Sequence, residues 1–244
     1  MAARQKVRLI LLFLIFLTFP ITLNYFSVYL IIEGSAKGIV VFSFFFWTAF
    51  TVTALFFGRG ACGYICPLGA IQETKDRMAV KKLARIKYLK IIKYILAVVW
   101  VGAIVYFAVM AGGYKTIDLL YNTKSGVSVD SAQSWFTYFF IVLIVLLPVF
   151  FIGKRGFCHY FCPWGVLNIT ATKIKNFLKI PSLRLEINNR RCKSCLTCDA
   201  NCPMSLQINE MVQSGSMNNT ECILCGTCAD NCPNEVIKYT WRKP

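Results

Sequence analysis

Two runs of cysteine, each ending in proline, constrain this chain more than any other feature. Within each run the cysteines are separated by two, two and three residues, and the second run starts 30 residues after the first. The runs are Cys192-Lys-Ser-Cys195-Leu-Thr-Cys198-Asp-Ala-Asn-Cys202-Pro203 and Cys222-Ile-Leu-Cys225-Gly-Thr-Cys228-Ala-Asp-Asn-Cys232-Pro233. Disulfide frameworks belong to small secreted domains, whereas long apolar segments precede these runs. The regular spacing therefore favours metal binding.

This spacing resembles that of bacterial ferredoxins, in which the fourth cysteine of each run ligates the other cluster. The resemblance implies two [4Fe-4S] clusters. One is expected on Cys192, Cys195, Cys198 and Cys232, and the other on Cys222, Cys225, Cys228 and Cys202. The alternative is a pair of zinc sites, but zinc modules normally take their four ligands from separate pairs. Short apolar alternations at residues 183–187 and 236–241 predict two paired outer strands.

The chain before residue 151 is strongly apolar. The whole chain is 57% apolar with a mean hydropathy of +0.56, above the roughly 45–50% of soluble domains. A membrane-spanning helix needs about 20 apolar residues, and the segments 9–32, 39–57, 91–110 and 135–152 qualify. Pro20 interrupts the first, which spanning helices tolerate. Lys93, near the start of the third, is expected to snorkel to the membrane surface.

The basic residues lie on one side of this predicted membrane. Of the 27 lysines and arginines, 24 lie at the N-terminus, in residues 59–93 or after Ile152, and three lie in the intervening loops. The positive-inside rule therefore predicts a multi-pass protein with both termini in the cytoplasm. Because topogenic charge explains the net charge of +16, we expect membrane lipid and no nucleic acid as partners.

A second repeat follows two of the predicted spanning helices. It joins Gly60-Ala-Cys62-Gly-Tyr-Ile-Cys66-Pro-Leu-Gly69 to Gly156-Phe-Cys158-His-Tyr-Phe-Cys162-Pro-Trp-Gly165. Positions i and i+4 share one face of a helix, so each cysteine pair can present two thiolates to one point. The repeat then predicts a four-cysteine metal or redox site, such as an additional iron–sulfur centre. The alternative is that these are buried small residues closing the helix ends.

The predicted fold class is a membrane all-α bundle of four transmembrane helices with a C-terminal α+β, bacterial-type 2[4Fe-4S] ferredoxin-like domain. Residues 1–165 form the bundle, residues 166–182 an interfacial amphipathic linker, and residues 183–244 the ferredoxin-like domain. The basic run 75–90 predicts either a similar interfacial helix or a solvated linker.

His159 is the sole histidine, so a bis-histidine haem cannot form within one chain and no haem is expected. Two interpretations remain for it: an interfacial polar aromatic residue, or a proton acceptor beside a quinone or a cluster. Tyr64, Tyr160 and Trp164 are weaker candidates for a quinone site.

The predicted spans, the paired Cys-x3-Cys-Pro motifs and the two-cluster domain together resemble the NapH/NosR/CcoG-like family of membrane ferredoxins. In size the chain is most similar to the NapH-type 4Fe-4S quinol dehydrogenase membrane subunit. The resemblance implies an electron-transfer subunit of an oxidoreductase complex in a prokaryotic cytoplasmic (inner) membrane. It would pass electrons between quinone or quinol and other redox subunits. The alternative function is an assembly factor that reduces a metal or cysteine for another enzyme. We predict that the outer loop, residues 112–133, docks a partner.

Overall fold

The computed structural model of the protein describes residues 2–76, 86 and 88–243. The bundle contains, in chain order, α1 (Ala3–Thr22), α2 (Val28–Ala36), β1 (Ile39–Val41), α3 (Phe42–Phe57), α4 (Gly60–Tyr64), α5 (Pro67–Asp76), α6 (Leu89–Met110), β2 (Thr116–Asp118), α7 (Ala132–Phe151), α8 (Gly156–Tyr160) and α9 (Pro163–Phe177). The C-terminal domain contains β3 (Ser182–Ile187), α10 (Thr197–Ala200), α11 (Ile208–Gln213), α12 (Thr227–Asp230) and β4 (Ile237–Arg242).

Three helices of the described chain, α1, α6 and α7, are long and apolar enough to cross a membrane. Helix α3 is also apolar but has 16 residues. At 1.5 Å per residue it is about 24 Å long, shorter than the roughly 30 Å hydrocarbon core of a bilayer. The structure therefore supports a membrane protein, and the count of four transmembrane helices stays a prediction.

The prediction of one continuous span over residues 9–32 is wrong. Helix α1 ends at Thr22, a 3-10 turn covers Asn24–Phe26, and α2 starts at Val28. Polar groups around the turn bond outside the helix: the Asn24 backbone N–H donates to Ser128 Oγ at 3.0 Å, and Ser27 Oγ accepts from the Leu30 N–H at 3.3 Å. Side chains that accept from backbone N–H groups in this way compete with a continued helix. Pro20 lies inside α1 and does not mark the break.

The helix that follows each Cys-x3-Cys-Pro motif packs against one helix of its own half of the bundle and one helix of the other half. Helix α5 lies against α1 and α7, and α9 lies against α3 and α6. In the bundle interior, Trp47 stacks on Trp164 with ring centroids 4.4 Å apart, and Trp100 meets Trp164 edge-on at 4.6 Å. This packing buries one face of the first half of helix α9 within the protein.

The predicted interfacial linker, residues 166–182, begins inside this packed helix. Val166 and Ile169 are buried, whereas Ile174 is 46% and Phe177 is 86% exposed. Exposed apolar residues beside lysines suit a membrane surface, so an interfacial role stays a prediction for the end of α9. The basic run 75–90 lies mostly outside the described residues.

The C-terminal domain confirms the predicted pairing of its outer strands. Strands β3 and β4 are antiparallel, with Ser182 opposite Arg242 and Ile187 opposite Ile237. Beneath them, Met204, Ile208 and Ile223 are buried in the domain core. At the far end of α6, β1 and β2 form a short parallel pair, and Gly38 O accepts from the Lys115 N–H at 2.8 Å.

Candidate iron–sulfur centres

Each of the two predicted ligand sets surrounds its own cavity. One cavity, here called the distal site, is lined by Cys192, Cys195, Cys198 and Cys232. The other, the proximal site, is lined by Cys222, Cys225, Cys228 and Cys202. The fourth cysteine of each run thus lies with the first three of the other run, which is the bacterial ferredoxin arrangement. Ligation by these eight residues stays a prediction that this geometry fits.

The loops around both cavities are shaped to hold an anionic group. Ser194 and Leu196 in the first run, and Leu224 and Gly226 in the second, have positive φ angles between residues of ordinary conformation. Alternating conformations of this kind turn successive backbone N–H groups towards one point. Three backbone N–H groups approach cysteine sulfurs: Ser194 to Cys192 at 3.5 Å, Leu206 to Cys202 at 3.5 Å and Val236 to Cys232 at 3.4 Å. The donor set therefore fits a cluster in each cavity.

The two sites differ in their exposure to solvent. In the distal site Cys195 is exposed and the other three cysteines are half-buried. In the proximal site Cys202, Cys225 and Cys228 are buried and Cys222 is half-buried. The distal site is therefore the one that an external redox partner could approach.

The proximal site touches both Cys-x3-Cys-Pro motifs of the bundle. A Cβ added at Gly63 would lie 2.8 Å from Ile223 O and 3.6 Å from Cys225 Cβ, so only glycine allows this approach. His159 Nε2 lies 2.9 Å from Met204 O, in the loop after Cys202. Gly63 and His159 each follow the first cysteine of their motif. Equivalent positions of the two motifs therefore contact the same site.

The four motif cysteines are buried, but each pair does not lie on one helix. Helices α4 and α8 end at Tyr64 and Tyr160, and new helices begin at the prolines that follow Cys66 and Cys162. The expectation of an i, i+4 pair on a continuous helix is therefore wrong, because each pair spans a break enforced by proline. The four thiols still come together. Burial raises the pKa of Cys66, and the neighbouring Cys62, Cys158 and Cys162 raise it further.

An amide side chain from each half of the bundle donates a hydrogen bond to a cysteine of the other half. Gln72 of α5 donates to Cys158 Sγ at 3.1 Å, and Asn168 of α9 donates to Cys62 Sγ at 3.4 Å. Both amides are almost completely buried, and each lies six residues after the second cysteine of its own motif. Each half of the bundle thus supplies a hydrogen-bond donor to a thiol of the other half.

Two buried arginines likewise reach from each half of the bundle to the motif of the other half. Arg59 and Arg155 each lie three residues before the first cysteine of their motif. Arg155 Nη1 donates to Cys62 O at 3.1 Å. It also lies 3.1 Å from the point that a Cβ on Gly69 would occupy. In the other half, Arg59 Nη2 lies 3.5 Å from the corresponding point on Gly165. These cations favour thiolates or an anionic cluster nearby. Both arginines are among the basic residues assigned to topogenic charge, and their equivalent positions in the repeat are the sequence signal that distinguishes them.

Among the described residues no group of three or more His, Cys, Asp or Glu side chains could hold a single metal ion. This includes the four motif cysteines and also the eight cysteines of the distal and proximal sites. A four-iron cluster separates its cysteine sulfurs more widely than one ion does. An iron–sulfur centre or a redox thiol site at Cys62, Cys66, Cys158 and Cys162 stays a prediction.

Two half-buried carboxylates each meet two buried cations: Glu73 links α1 to the rest of the bundle, and Glu221 links the C-terminal domain to the bundle. Glu73 forms an ion pair with Arg8 at 2.6 Å and accepts from Arg155 at 2.7 Å. Glu221 accepts from Arg59 at 2.7 Å and also from Lys93. Burial opposes ionisation of Glu221, but the two cations outweigh it and hold its pKa at about 2.

The predicted snorkelling of Lys93 is wrong. Its side chain is 1% exposed and its ammonium group is bonded to Glu221. The reason is that Glu221 reaches in from the C-terminal domain and supplies the charge partner that Lys93 would otherwise seek at the membrane surface.

Comparison with known families agrees with this arrangement. Residues 39–86 and 133–181 both match one 4Fe-4S binding domain, and residues 184–233 match a 4Fe-4S dicluster domain. The two matches to one family fall on the two halves marked by the Cys-x3-Cys-Pro repeat. No solved structure gives a significant match to the chain.

Three curated relatives indicate the family. Protein NirI of Paracoccus denitrificans is 30% identical over 63% of this chain and 23% of its own length. The putative electron transport protein YccM of Escherichia coli is 22% identical over 76% of this chain and 52% of its own. The regulatory protein NosR of Pseudomonas aeruginosa is 26% identical over 55% of this chain and 19% of its own. These matches support the NapH/NosR-like family of membrane ferredoxins. It spans less than two thirds of the length of these relatives.

Three of the four quinone candidates of this membrane ferredoxin, His159, Tyr160 and Trp164, are buried. Tyr160 and Trp164 are buried in the bundle, and Tyr160 Oη accepts from the Ile86 N–H at 3.2 Å. His159 is 4% exposed, so the interpretation as an interfacial residue is wrong. Burial lowers its pKa to about 4, and its bond to Met204 O places the ring proton on Nε2. Tyr64 is half-buried and lines a cavity suited to an apolar ligand.

This cavity, here called the Tyr64 cavity, has a volume of about 540 Å³ and lies between α3, α4 and the C-terminal domain of the membrane ferredoxin. Tyr64 Oη donates to Cys225 O at 3.2 Å, so the cavity wall contacts the proximal site. Arg4 also lines the cavity; it forms an ion pair with Asp230 at 2.5 Å and lies over the Tyr239 ring. The remaining lining is Thr53, Phe57, Gly60, Ala61, Ile65, Leu183, Leu224 and Tyr239.

Proposed function

We propose that this membrane ferredoxin passes electrons between the quinone pool and a partner redox enzyme, as a subunit of a quinol dehydrogenase-type complex in a prokaryotic cytoplasmic membrane. The observation that carries the proposal is the Tyr64 cavity beside the proximal site. A lipid-soluble electron carrier needs an apolar site that opens to the bilayer and lies close to a cluster. The mainly apolar lining of this cavity and its contact with the proximal site support the proposal.

The size and lining of the cavity suit a quinone ring. Its volume of about 540 Å³ lies within the roughly 300–1,000 Å³ of small-molecule sites, which are mainly apolar with a few placed polar groups. Phe57 and Ile65 are 47% and 43% exposed at its edge. In a bilayer these side chains would face lipid, so the ligand can enter from the membrane.

The polar groups of the cavity suit the oxygens of that ring. Quinol oxidation releases two electrons and two protons, and each [4Fe-4S] cluster accepts one electron at a time. Tyr64 Oη can exchange its bond to Cys225 O for one to a quinol oxygen, which also brings the ring against the proximal site. The Arg4–Asp230 pair at the edge provides a polar connection to solvent for the protons.

The order of burial supports a direction of transfer through the chain. A quinol in the Tyr64 cavity would reduce the buried proximal site first, and the more exposed distal site would follow. A partner could receive electrons near the exposed Cys195. This order supports an electron-transfer subunit and needs no further catalytic residue.

Filling the cavity tests the proposal. Ala61→Trp places an indole into the Tyr64 cavity, and Val98→Trp, on the 73% exposed face of α6, is the matched control. In anaerobically purified protein, Ala61→Trp should slow quinol reduction of the clusters by about tenfold or more, followed by absorbance in a stopped-flow instrument. The control should keep the wild-type rate.

A wild-type rate in Ala61→Trp with intact clusters would refute the role of this cavity. If menaquinol and ubiquinol both fail to reduce the clusters of the unmodified protein, quinone-linked transfer itself is refuted. The assembly-factor alternative then applies if the chain also leaves its partner once that enzyme has matured. Stoichiometric co-purification with a mature enzyme would exclude that alternative.

A further inference from the structure

A basic cleft of about 290 Å³ lies beside the proximal site and shares Leu183 and Leu224 with the Tyr64 cavity. It is formed where the end of α9 meets β3 and the loop before Cys222, next to Gly58 at the end of α3. We call it the Lys175 cleft, because Lys175 and Arg184 both line it. Nothing in the electron-transfer proposal uses these two cations.

Lys175 is a buried cation without a compensating charge. Its side chain is 3% exposed, and no carboxylate or hydrogen-bond acceptor contacts its ammonium group among the described residues. Burial lowers its pKa to about 8, with a further contribution from Arg184, so the group is still mainly protonated at neutral pH. An unpaired buried charge is costly unless an ion of opposite sign binds beside it.

Arg184 presents to the same cleft a second hydrogen-bond donor that has no acceptor among the described residues. Its Nη2 donates to Asn176 Oδ1 at 2.5 Å, whereas its buried Nε has no acceptor within the described chain. The acidic residue that lines the cleft is Glu186, which is exposed and already paired with Arg242 at 2.7 Å. Two neighbouring cations therefore face one cleft in which no carboxylate is free to compensate them.

We propose that the Lys175 cleft binds a phosphate group between the Lys175 ammonium and the Arg184 guanidinium. A planar guanidinium and a compact ammonium are the pair of cations that proteins use for phosphate oxygens. The cleft is also larger than a carboxylate requires. The phosphate can come from an anionic lipid headgroup, since Phe177 projects from the same helix end and is 86% exposed, or from free phosphate in solution.

A bound phosphate would also act on the proximal site. Cys222 lines the Lys175 cleft as well as the proximal site, so the anion would add negative charge beside a cluster held there. Negative charge stabilises the oxidised cluster and lowers its reduction potential. This second effect requires a cluster at the proximal site, whereas phosphate binding does not.

The test uses the full chain, purified anaerobically in a phosphate-free maltoside detergent. The thermal unfolding midpoint is followed during titration with inorganic phosphate, with short-chain phosphatidylglycerol, or with chloride at equal ionic strength. We expect a saturable rise with phosphate, with phosphatidylglycerol or with both, which identifies the source, and no saturable rise with chloride. Lys175→Gln should weaken this binding by about tenfold or more.

The matched control is Lys173→Gln, which removes the same charge from an exposed position two residues away on α9. It should bind as the wild type does. Because Lys175→Gln also removes an unpaired buried charge, its midpoint without added anion should equal or exceed that of the wild type. The proposal is overturned if neither ligand gives a saturable rise in the wild type, or if Lys173→Gln weakens binding as much as Lys175→Gln. Failure here leaves quinol reduction unaffected, so the two proposals are tested separately.

Discussion

Glu221 holds the C-terminal domain against the bundle, and Glu221→Gln tests this directly. The substitution keeps the size of the side chain and removes its charge. It leaves Arg59, 2% exposed, and Lys93, 1% exposed, without a carboxylate. Removing one partner from a buried ion pair typically costs about 3–5 kcal/mol because the remaining charge stays buried. We therefore expect loss of stability mainly at the contact between the two domains.

The pKa of Glu221 gives a second value for the free energy of the same interaction. Holding that pKa at about 2 instead of the ordinary 4.5 corresponds to about 3 kcal/mol of stabilisation at neutral pH. A lowered pKa in the folded state means that this contribution is present above about pH 4.5 and is lost as the pH falls towards 2. The stability difference between the wild type and Glu221→Gln should therefore shrink below about pH 4.5.

The assay compares thermal unfolding and limited proteolysis of the anaerobic proteins at pH 7. Glu235→Gln is the control, since it removes another glutamate–lysine pair from the same domain, but one that is 71% and 63% exposed. We expect the control to behave as the wild type, because exposed pairs contribute little. Equal stability of Glu221→Gln and the wild type, with the same cleavage rate between the domains, would refute the reasoning.

Three further predictions concern the other contacts of the chain. Iron analysis should give more than about eight atoms per chain, falling in Cys66→Ser, if the motif cysteines hold an additional centre; a ratio near eight would contradict it. Gly63→Ala places a methyl group 2.8 Å from Ile223 O and should cost about 1–3 kcal/mol in thermal stability, whereas Gly102→Ala, which meets nothing within 4 Å, should not. Deletion of the outer loop, residues 112–133, should abolish co-purification of the partner enzyme, and retained association would refute that docking surface.

Features set by local spacing could be predicted from the sequence. The two cysteine runs place their left-handed residues and prolines at matching offsets, so the grouping of the eight cysteines around the distal and proximal cavities follows from the pattern. The pairing of β3 with β4 follows from two short apolar alternations that flank the runs. Each of these features depends on a few adjacent residues.

Features set by distant partners could not be predicted in this way. The break after Thr22 depends on Ser128, whose hydroxyl oxygen accepts from the Asn24 N–H 104 residues earlier in the chain. The burial of Lys93 depends on Glu221, 128 residues away. A single sequence shows basic residues near helix ends but does not show which of them have an acidic partner, so buried and exposed cations could not be distinguished.

The hydrogen bonds between the two halves make the two Cys-x3-Cys-Pro motifs depend on each other. Gln72 reaches a cysteine of the second motif and Asn168 a cysteine of the first, so neither motif is complete without the other copy. Gly63 and His159 then bring both motifs against the proximal site. The proximal site thus contacts both the Tyr64 cavity and the two Cys-x3-Cys-Pro motifs. If electrons are divided between two routes in this chain, the division has to occur at the proximal site.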